Sequence, residues 1–124
     1  MMHRSKIITA LLLACLVLLF AGSALAEEEK LEAFNQAYAS FDALYSESKF
    51  QESLEHARTA LELGRDLFGQ DSDEFAKLTY NYGNNMLQLR EPDAARPVLE
   101  EALQRLEKLH GADSVELLPS LLAL

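Results

Sequence analysis

From about residue 29 onward, apolar residues recur at every third or fourth position of the chain. That period places them on one stripe of an amphipathic α-helix. Polar breaks divide the pattern into four helices: the first spans about 29–47, the second about 50–68, the third ends near Arg90 and the fourth at Gly111. The predicted buried stripes are Phe34, Ala37, Phe41 and Leu44; Leu54, Ala57, Leu61 and Phe68; Phe75, Leu78, Tyr82 and Met86; and Leu99, Ala102, Leu106 and Leu109. Because the breaks are short, neighbouring helices are expected to pack antiparallel.

Two glycines and two carboxylates mark the expected helix ends. Gly111 ends the fourth helix, and Gly69 is expected to close the second in a left-handed backbone conformation, which glycine adopts without steric cost. Before the third helix, Asp71 and Glu74 have the spacing of a capping box, in which the first side chain accepts a hydrogen bond from a backbone N–H of the first turn. The same spacing returns 42 residues later.

This return belongs to a 42-residue repeat that runs through most of the chain. The segment 68–72, Phe-Gly-Gln-Asp-Ser, corresponds to 110–114, His-Gly-Ala-Asp-Ser, and Tyr38 corresponds to Tyr80. A fixed period of this length is typical of repeat architectures, in which each unit buries its apolar face against the next. Function is therefore expected on a surface formed by stacked units.

The second unit resembles a tetratricopeptide repeat, since five of seven family positions match well. These seven positions are Thr79, Tyr82, Gly83, Met86, Ala95, Leu99 and Ala102. The first unit is similar more weakly, at Ala37, Ser40, Phe41, Leu44, Ser53, Ala57 and Ala60. The long period resembles the kinesin-light-chain type, as in bacterial exported proteins. The resemblance implies an all-α fold, an α-α superhelix of antiparallel helix pairs, with repeat 1 at about 30–69, repeat 2 at about 71–111 and a partial third at 113–124.

The resemblance also implies a binding surface, because the first helix of each pair lines a concave groove in this family. The residues that would face the groove are Asn35, Tyr38, Asp42 and Tyr45 in repeat 1, and Lys77, Tyr80, Asn84 and Gln88 in repeat 2. Each set falls on one helical face. The equivalent tyrosines would suit a peptide ligand, since each offers flat apolar area and a hydroxyl. The alternative is that these are solvated polar residues with two half-buried rings.

The first 26 residues have the pattern of an export signal. A basic start is followed by an unbroken apolar run at 7–20, by the small-residue cleavage pattern at 24–26, and by three glutamates at 27–29. The pattern predicts cleavage after Ala26 and a periplasmic or secreted mature protein, 27–124, without stable membrane insertion. Two alternatives stay open, namely retention of the apolar run as an uncleaved anchor and lipoprotein processing at Cys15, although the apolar residues after Cys15 argue against the second.

The charge balance limits the classes of partner. The precursor carries a net charge of −9, and removal of Arg4 and Lys6 with the leader takes this to −11, because residues 1–26 contain no carboxylate. An acidic protein of this kind disfavours nucleic acid and anionic membranes as partners.

Candidate chemistry is sparse outside the groove. The only cysteine lies in the leader, so the mature chain has no thiol for redox or nucleophilic chemistry. His56 and His110 are 54 residues apart, without metal-ligand spacing, and we expect both to be partly buried helix residues. No phosphate loop or nucleophile motif occurs, so we expect no cofactor, no metal and no enzymatic activity.

Two functional hypotheses follow. The first is an exported protein–protein interaction module that holds a peptide or helix of an envelope partner in the groove. The second is the periplasmic repeat portion of a TonB-like energy transducer, whose corresponding segment is similar to residues 113–119. The apolar segment 114–124 contains too few polar residues for a repeat cap. It therefore predicts either self-association through these residues or a longer array of which this chain is a part.

Overall fold

The computed structural model describes residues 2–112, in which helices follow one another along the chain. They are α1 (Met2–Ser46), α2 (Phe50–Phe68), α3 (Asp73–Gln88) and α4 (Pro92–His110). Each helix packs against the next along the chain, α1 on α2, α2 on α3 and α3 on α4. The predicted all-α fold of stacked helix pairs is thereby confirmed. The predicted third repeat, the capping spacing at Asp113 and the self-association through 114–124 lie outside the described residues.

The turns inside the two helix pairs have the same backbone conformation. Ser48 and Arg90, which are 42 residues apart, both have a φ of 60°. The next residue in each turn donates its N–H to a carbonyl five residues back, from Lys49 to Leu44 at 2.9 Å and from Glu91 to Met86 at 3.1 Å. This bond is the 6→1 hydrogen bond of a Schellman motif, which satisfies a carbonyl at the end of the helix. The repeat is therefore conformational as well as sequential.

Glycines close α2 and α4. Gly69 and Gly111 have φ values of 87° and 85°, and their amides donate to Arg65 at 3.0 Å and to Glu107 at 2.8 Å. The positive φ expected at Gly69 is present. The ψ values of 156° and 160° are extended, however, so the chain leaves both helices directly instead of making a left-handed helical turn.

The predicted cap of α3 was wrong by one residue. The N-cap is Ser72, whose hydroxyl accepts from the Phe75 N–H at 3.1 Å, and not Asp71. The same hydroxyl donates to the Gly69 carbonyl at 2.7 Å. An ionised aspartate can only accept hydrogen bonds. Serine therefore satisfies a helix N–H and a turn carbonyl together, which an aspartate at this position could not do.

Most of each predicted apolar stripe is buried. The fully buried members are Ala37, Phe41, Leu54, Ala57, Phe75, Leu78, Leu99, Ala102 and Leu106. Small residues bring the helices close: a Cβ on Gly64 would lie 2.3 Å from Leu78 Cδ1, and one on Gly83 would lie 2.8 Å from Leu99 Cγ. Phe68 and Leu109 were predicted to be buried, but they are 37% and 42% exposed.

A buried polar cluster joins α2 to α3. Ser53 and Asn85 have no exposed surface. The Ser53 hydroxyl lies 2.8 Å from Asn85 Oδ1, and the Asn85 amide donates to the Phe50 carbonyl at 3.0 Å. Such a cluster is tolerated in a core only when its members are hydrogen-bonded, because an unpaired buried polar group costs about 1–3 kcal/mol.

Phe75 occupies the junction between α2, α3 and α4. Its ring is 2% exposed, and the guanidinium carbons of Arg105 and Arg65 lie 4.8 Å and 5.5 Å from the ring centroid. Arg105 also pairs with Glu101 at 2.9 Å and donates to the Gln70 carbonyl. Cation–π contacts of this kind contribute about 0.5–2 kcal/mol each. Phe75 thus links both helix pairs.

The leader continues as a helix into the repeat region. α1 runs without a break from Met2 through Ser46, so the helix predicted at about 29–47 begins much earlier. Apolar residues such as Leu18 and Phe20 are fully on its surface, about 70% exposed. Among the described residues, this is the one helix long and apolar enough to cross a membrane, a property that N-terminal signal sequences share. The boundary at Ala26 remains a prediction.

Candidate partner-binding cleft

A cleft of about 230 Å³ lies between the N-terminal parts of the α1 repeat region and α3, both of which pack against α2. We call this space the cleft throughout. Its lining is mostly apolar and consists of Phe34, Tyr38, Phe68, Glu74, Lys77, Leu78 and Asn81. Two of these, Tyr38 and Lys77, belong to the groove residues predicted from the sequence. Equivalent helices of the two units therefore form opposite walls of one depression.

Aromatic rings form one wall of the cleft. Along α1, the ring of Tyr38 lies 6.0 Å from the rings of Phe34 and Phe41, centroid to centroid. Phe34 also meets Phe68 edge to face at 5.2 Å, which places the end of α2 at the mouth of the cleft. Aromatic neighbours at these distances stabilise one another by about 0.5–1.5 kcal/mol beyond their burial. The wall is therefore held in place before any partner arrives.

A hydrogen bond between predicted groove residues joins α1 to α3. Asn84 Nδ2 donates to the Tyr45 hydroxyl at 2.7 Å. Tyr80 is half-buried beside this pair, and burial raises the pKa of its phenol, with a smaller contribution from the charge of Tyr45. These three residues fasten the two helices to each other and close the groove at this end.

Charged groups surround the N-terminus of α3 at the rim of the cleft. Asp73 accepts from Lys77 at 2.8 Å and lies 2.6 Å from His110 Nε2. The hydrogen bonds from Lys77 and then from His110 hold the pKa of Asp73 below its usual value. The Asp73–His110 contact also fixes the end of α4 to the start of α3. Glu74 places a further carboxylate in the cleft lining.

The eight predicted groove residues fall into three groups. Tyr38 and Lys77 line the cleft. Tyr45, Asn84 and Tyr80 lie together where α1 meets α3. The other three are exposed and are not part of the lining, namely Asn35, Asp42 and Gln88. A role of any of them in binding remains a prediction.

The sequence reasoning did not assign five lining residues to the groove, namely Phe34, Phe68, Glu74, Leu78 and Asn81. A signal for Asn81 was present, because it lies one helical turn after Lys77 on the same face. Phe34, Phe68 and Leu78 had been assigned to the core by their period. Periodicity does not show whether a neighbour covers an apolar residue completely or leaves an edge of it open.

The two histidines differ in their surroundings. His56 is half-buried, as expected. His110 was expected to be partly buried, but it is exposed and interacts with Asp73. The expectation failed because the corresponding position in the first repeat is an apolar residue, whereas here a carboxylate on α3 draws the imidazole to the surface. Within the described residues, no group of three or more potential ligands could hold a metal ion.

Comparison with known proteins identifies one repeat. A sequence model described as tetratricopeptide repeat matches residues 81–116, which include the C-terminal half of α3 and all of α4. Comparison with curated proteins and with solved structures gave no match. Tetratricopeptide repeats are typically non-catalytic modules for protein–protein interaction. The matched segment and the all-α helical-repeat fold together support assignment to the tetratricopeptide-repeat family.

Proposed function

We propose that this chain is an exported interaction module and that the cleft binds a peptide or helix of another envelope protein. The observation that carries the proposal is the apolar depression between equivalent helices of two units, with Tyr38 40% exposed on its wall. Large aromatic residues that are exposed beside a depression are typical anchors of protein interfaces.

The size of the cleft favours a side chain over a small molecule. Pockets for drug-sized ligands usually measure about 300–1,000 Å³. The cleft, at about 230 Å³, is smaller than this range and is open on one side. It therefore suits one or two side chains of a partner whose remaining residues lie across the rim.

The leader supports the choice of an envelope partner. Residues 3–26 are exposed along one side of the molecule and make no part of the repeat core. Their basic start, apolar run and small-residue pattern fit removal during export. If the leader were retained, the same cleft would be held near a membrane surface, so the proposed binding mode does not depend on cleavage.

Site-specific photocrosslinking in living cells tests this function. A photoreactive residue placed at Asn81, within the cleft, is expected to crosslink to an envelope protein, and an additional Tyr38→Ala substitution should abolish the product. The matched control position is Glu100, which is exposed on α4 and lies outside the cleft. Equal crosslinking from Asn81 and Glu100, or a product insensitive to Tyr38→Ala, would overturn the proposal.

A further inference from the structure

We infer that the segment bound in the cleft is a cationic amphipathic helix, with an apolar side chain in the cleft and lysine or arginine residues on both sides of it. This inference rests on the proposed function and specifies the chemistry of the partner. Three observations carry it: the grouping of exposed apolar residues, the volume of the cleft, and the sign of the charge around it.

Exposed apolar residues concentrate at the cleft. Beyond the leader, the large apolar residues that are most exposed in the described part are Leu31 (44%), Tyr38 (40%), Leu109 (42%) and Phe68 (37%). Tyr38 and Phe68 line the cleft. Leu31 lies seven residues before Tyr38 on α1, two helical turns away on the same face. The apolar surface of the cleft therefore extends along α1, as an apolar stripe of a bound helix would require.

The charge around the cleft is negative. From residue 27 onward, α1 and α3 carry seven carboxylates and two lysines, Lys30 and Lys77. Lys77 is paired with Asp73 at 2.8 Å, and Lys30 lies 4.0 Å from Asp66 on α2. Both lysines are therefore already balanced by carboxylates, while Glu74 adds a negative charge to the lining itself. A cationic segment would be attracted to this region and an anionic one repelled.

A second copy of this chain does not match this charge. Its net charge is −9, and its apolar segment 114–124 contains Glu116 and no lysine or arginine. Insertion of that segment would bring a further carboxylate next to Glu74. The charge argument thus favours a different protein as the occupant.

Synthetic peptides of defined charge test the inference. The protein is purified as expressing cells hold it, in solution if it is processed or in nanodiscs of zwitterionic lipid if it is not. Three helical peptides are titrated calorimetrically: one with a leucine stripe and lysines elsewhere, the same peptide with glutamate for lysine, and the lysine peptide with its central leucines changed to alanine. We expect the leucine–lysine peptide to bind at least about tenfold more tightly than either of the others.

Two protein variants locate the binding. Tyr38→Lys and Leu109→Lys introduce the same charge at positions of similar exposure, but only Tyr38 lines the cleft. Tyr38→Lys should weaken binding of the leucine–lysine peptide at least about tenfold, and Leu109→Lys less than about threefold. Circular dichroism should show that both variants retain their helices. A rise from about 0.01 M to about 0.15 M ionic strength should weaken binding, since the Debye length falls from about 30 to about 8 Å.

Four results would overturn the inference: no binding of the leucine–lysine peptide, tighter binding of the glutamate peptide, equal loss in both lysine variants, or concentration-dependent dimers formed through the cleft. Each of them leaves the proposed function intact if the crosslink from Asn81 still depends on Tyr38. Loss of that crosslink, with the peptide still bound in the cleft, would instead contradict the proposed envelope partner.

Discussion

Equivalent positions in the two repeats place Tyr38 and Tyr80 in different surroundings. Tyr38 is 40% exposed and faces the cleft. Tyr80 is half-buried, and burial raises the pKa of its phenol. The difference arises because Tyr38 is on the first repeat helix, whereas Tyr80 is on α3, which lies between α2 and α4 and close to Tyr45.

Alanine substitution should separate the two tyrosines. Tyr38→Ala is expected to lower the free energy of unfolding by less than about 1 kcal/mol while weakening partner binding, since little of its surface is packed. Tyr80→Ala should cost more, about 2 kcal/mol, but less than the 3–5 kcal/mol typical of a fully buried ring. Urea denaturation of both variants measures this. A loss above about 3 kcal/mol for Tyr38→Ala would mean that its ring is a core residue.

Asp73 should make the stability depend on pH. Hydrogen bonds from Lys77 and His110 hold its pKa in the folded protein below the ordinary value of 3.8. A carboxyl group with a depressed pKa contributes stability above its unfolded-state pKa, and this contribution is lost as the pH falls through the folded-state pKa. Between about pH 5 and about pH 2, the native chain should therefore lose more stability than Asp73→Asn does.

Asp93→Asn provides the matched control for this pH dependence. Asp93 lies in the first turn of α4, as Asp73 does in α3, so both experience a helix N-terminus. Only Asp73 has the lysine and histidine partners described above. Thermal unfolding of the three proteins across the pH range distinguishes them. Identical pH profiles for Asp73→Asn and Asp93→Asn would show that the partners of Asp73 contribute nothing.

At the scale of the helical elements, both turns within the helix pairs use a residue with positive φ that is not glycine. Ser48 and Arg90 have a φ of 60°, a region in which an L-residue costs about 1–2 kcal/mol. Ser48→Gly and Arg90→Gly should relieve this strain. Because glycine also increases the entropy of the unfolded chain, we expect a net gain of up to about 1 kcal/mol in each variant.

Gly69→Ala is the opposite control. Gly69 combines a φ of 87° with an extended ψ of 156°, a conformation that is essentially restricted to glycine. No neighbouring atom lies within 4 Å of a Cβ at this position, so any loss comes from the backbone and not from a clash. We expect Gly69→Ala to destabilise by about 1–3 kcal/mol in chemical denaturation. Equal effects of all three substitutions would contradict this explanation.

The sequence predicted the helices well because their apolar period and breaking residues are local signals. Leu99, Ala102 and Leu106 are buried as their spacing required. Leu109 continues the same period but is exposed, because burial depends on which helix lies opposite. The Tyr45–Asn84 hydrogen bond joins residues 39 positions apart, and neither residue alone reveals it. The sequence indicated which helices form the cleft, whereas its lining required the tertiary structure.

At the scale of the whole molecule, α1 has two functions in one continuous helix. Its first part is apolar and exposed, and its second part supplies the aromatic wall of the cleft. Glu27, Glu28 and Glu29 separate the two parts without interrupting the helix. Glutamate is a good helix former, so a change in the nature of the surface, and not a break in the backbone, marks the boundary expected at Ala26.

Processing of the chain should be decided by the residues on either side of that boundary. Small residues at Ala24 and Ala26 fit a signal cleavage site, so the exported product is expected to begin at Glu27. Replacing both alanines by leucine should leave the full chain attached to the membrane, because the site no longer offers small side chains. Ala21→Leu, within the leader but outside this pattern, should still be cut. N-terminal sequencing and membrane fractionation measure both outcomes. A native product that begins at Met1 would identify α1 as a membrane anchor, and one that begins at a lipidated Cys15 would identify a lipoprotein; either contradicts the predicted release.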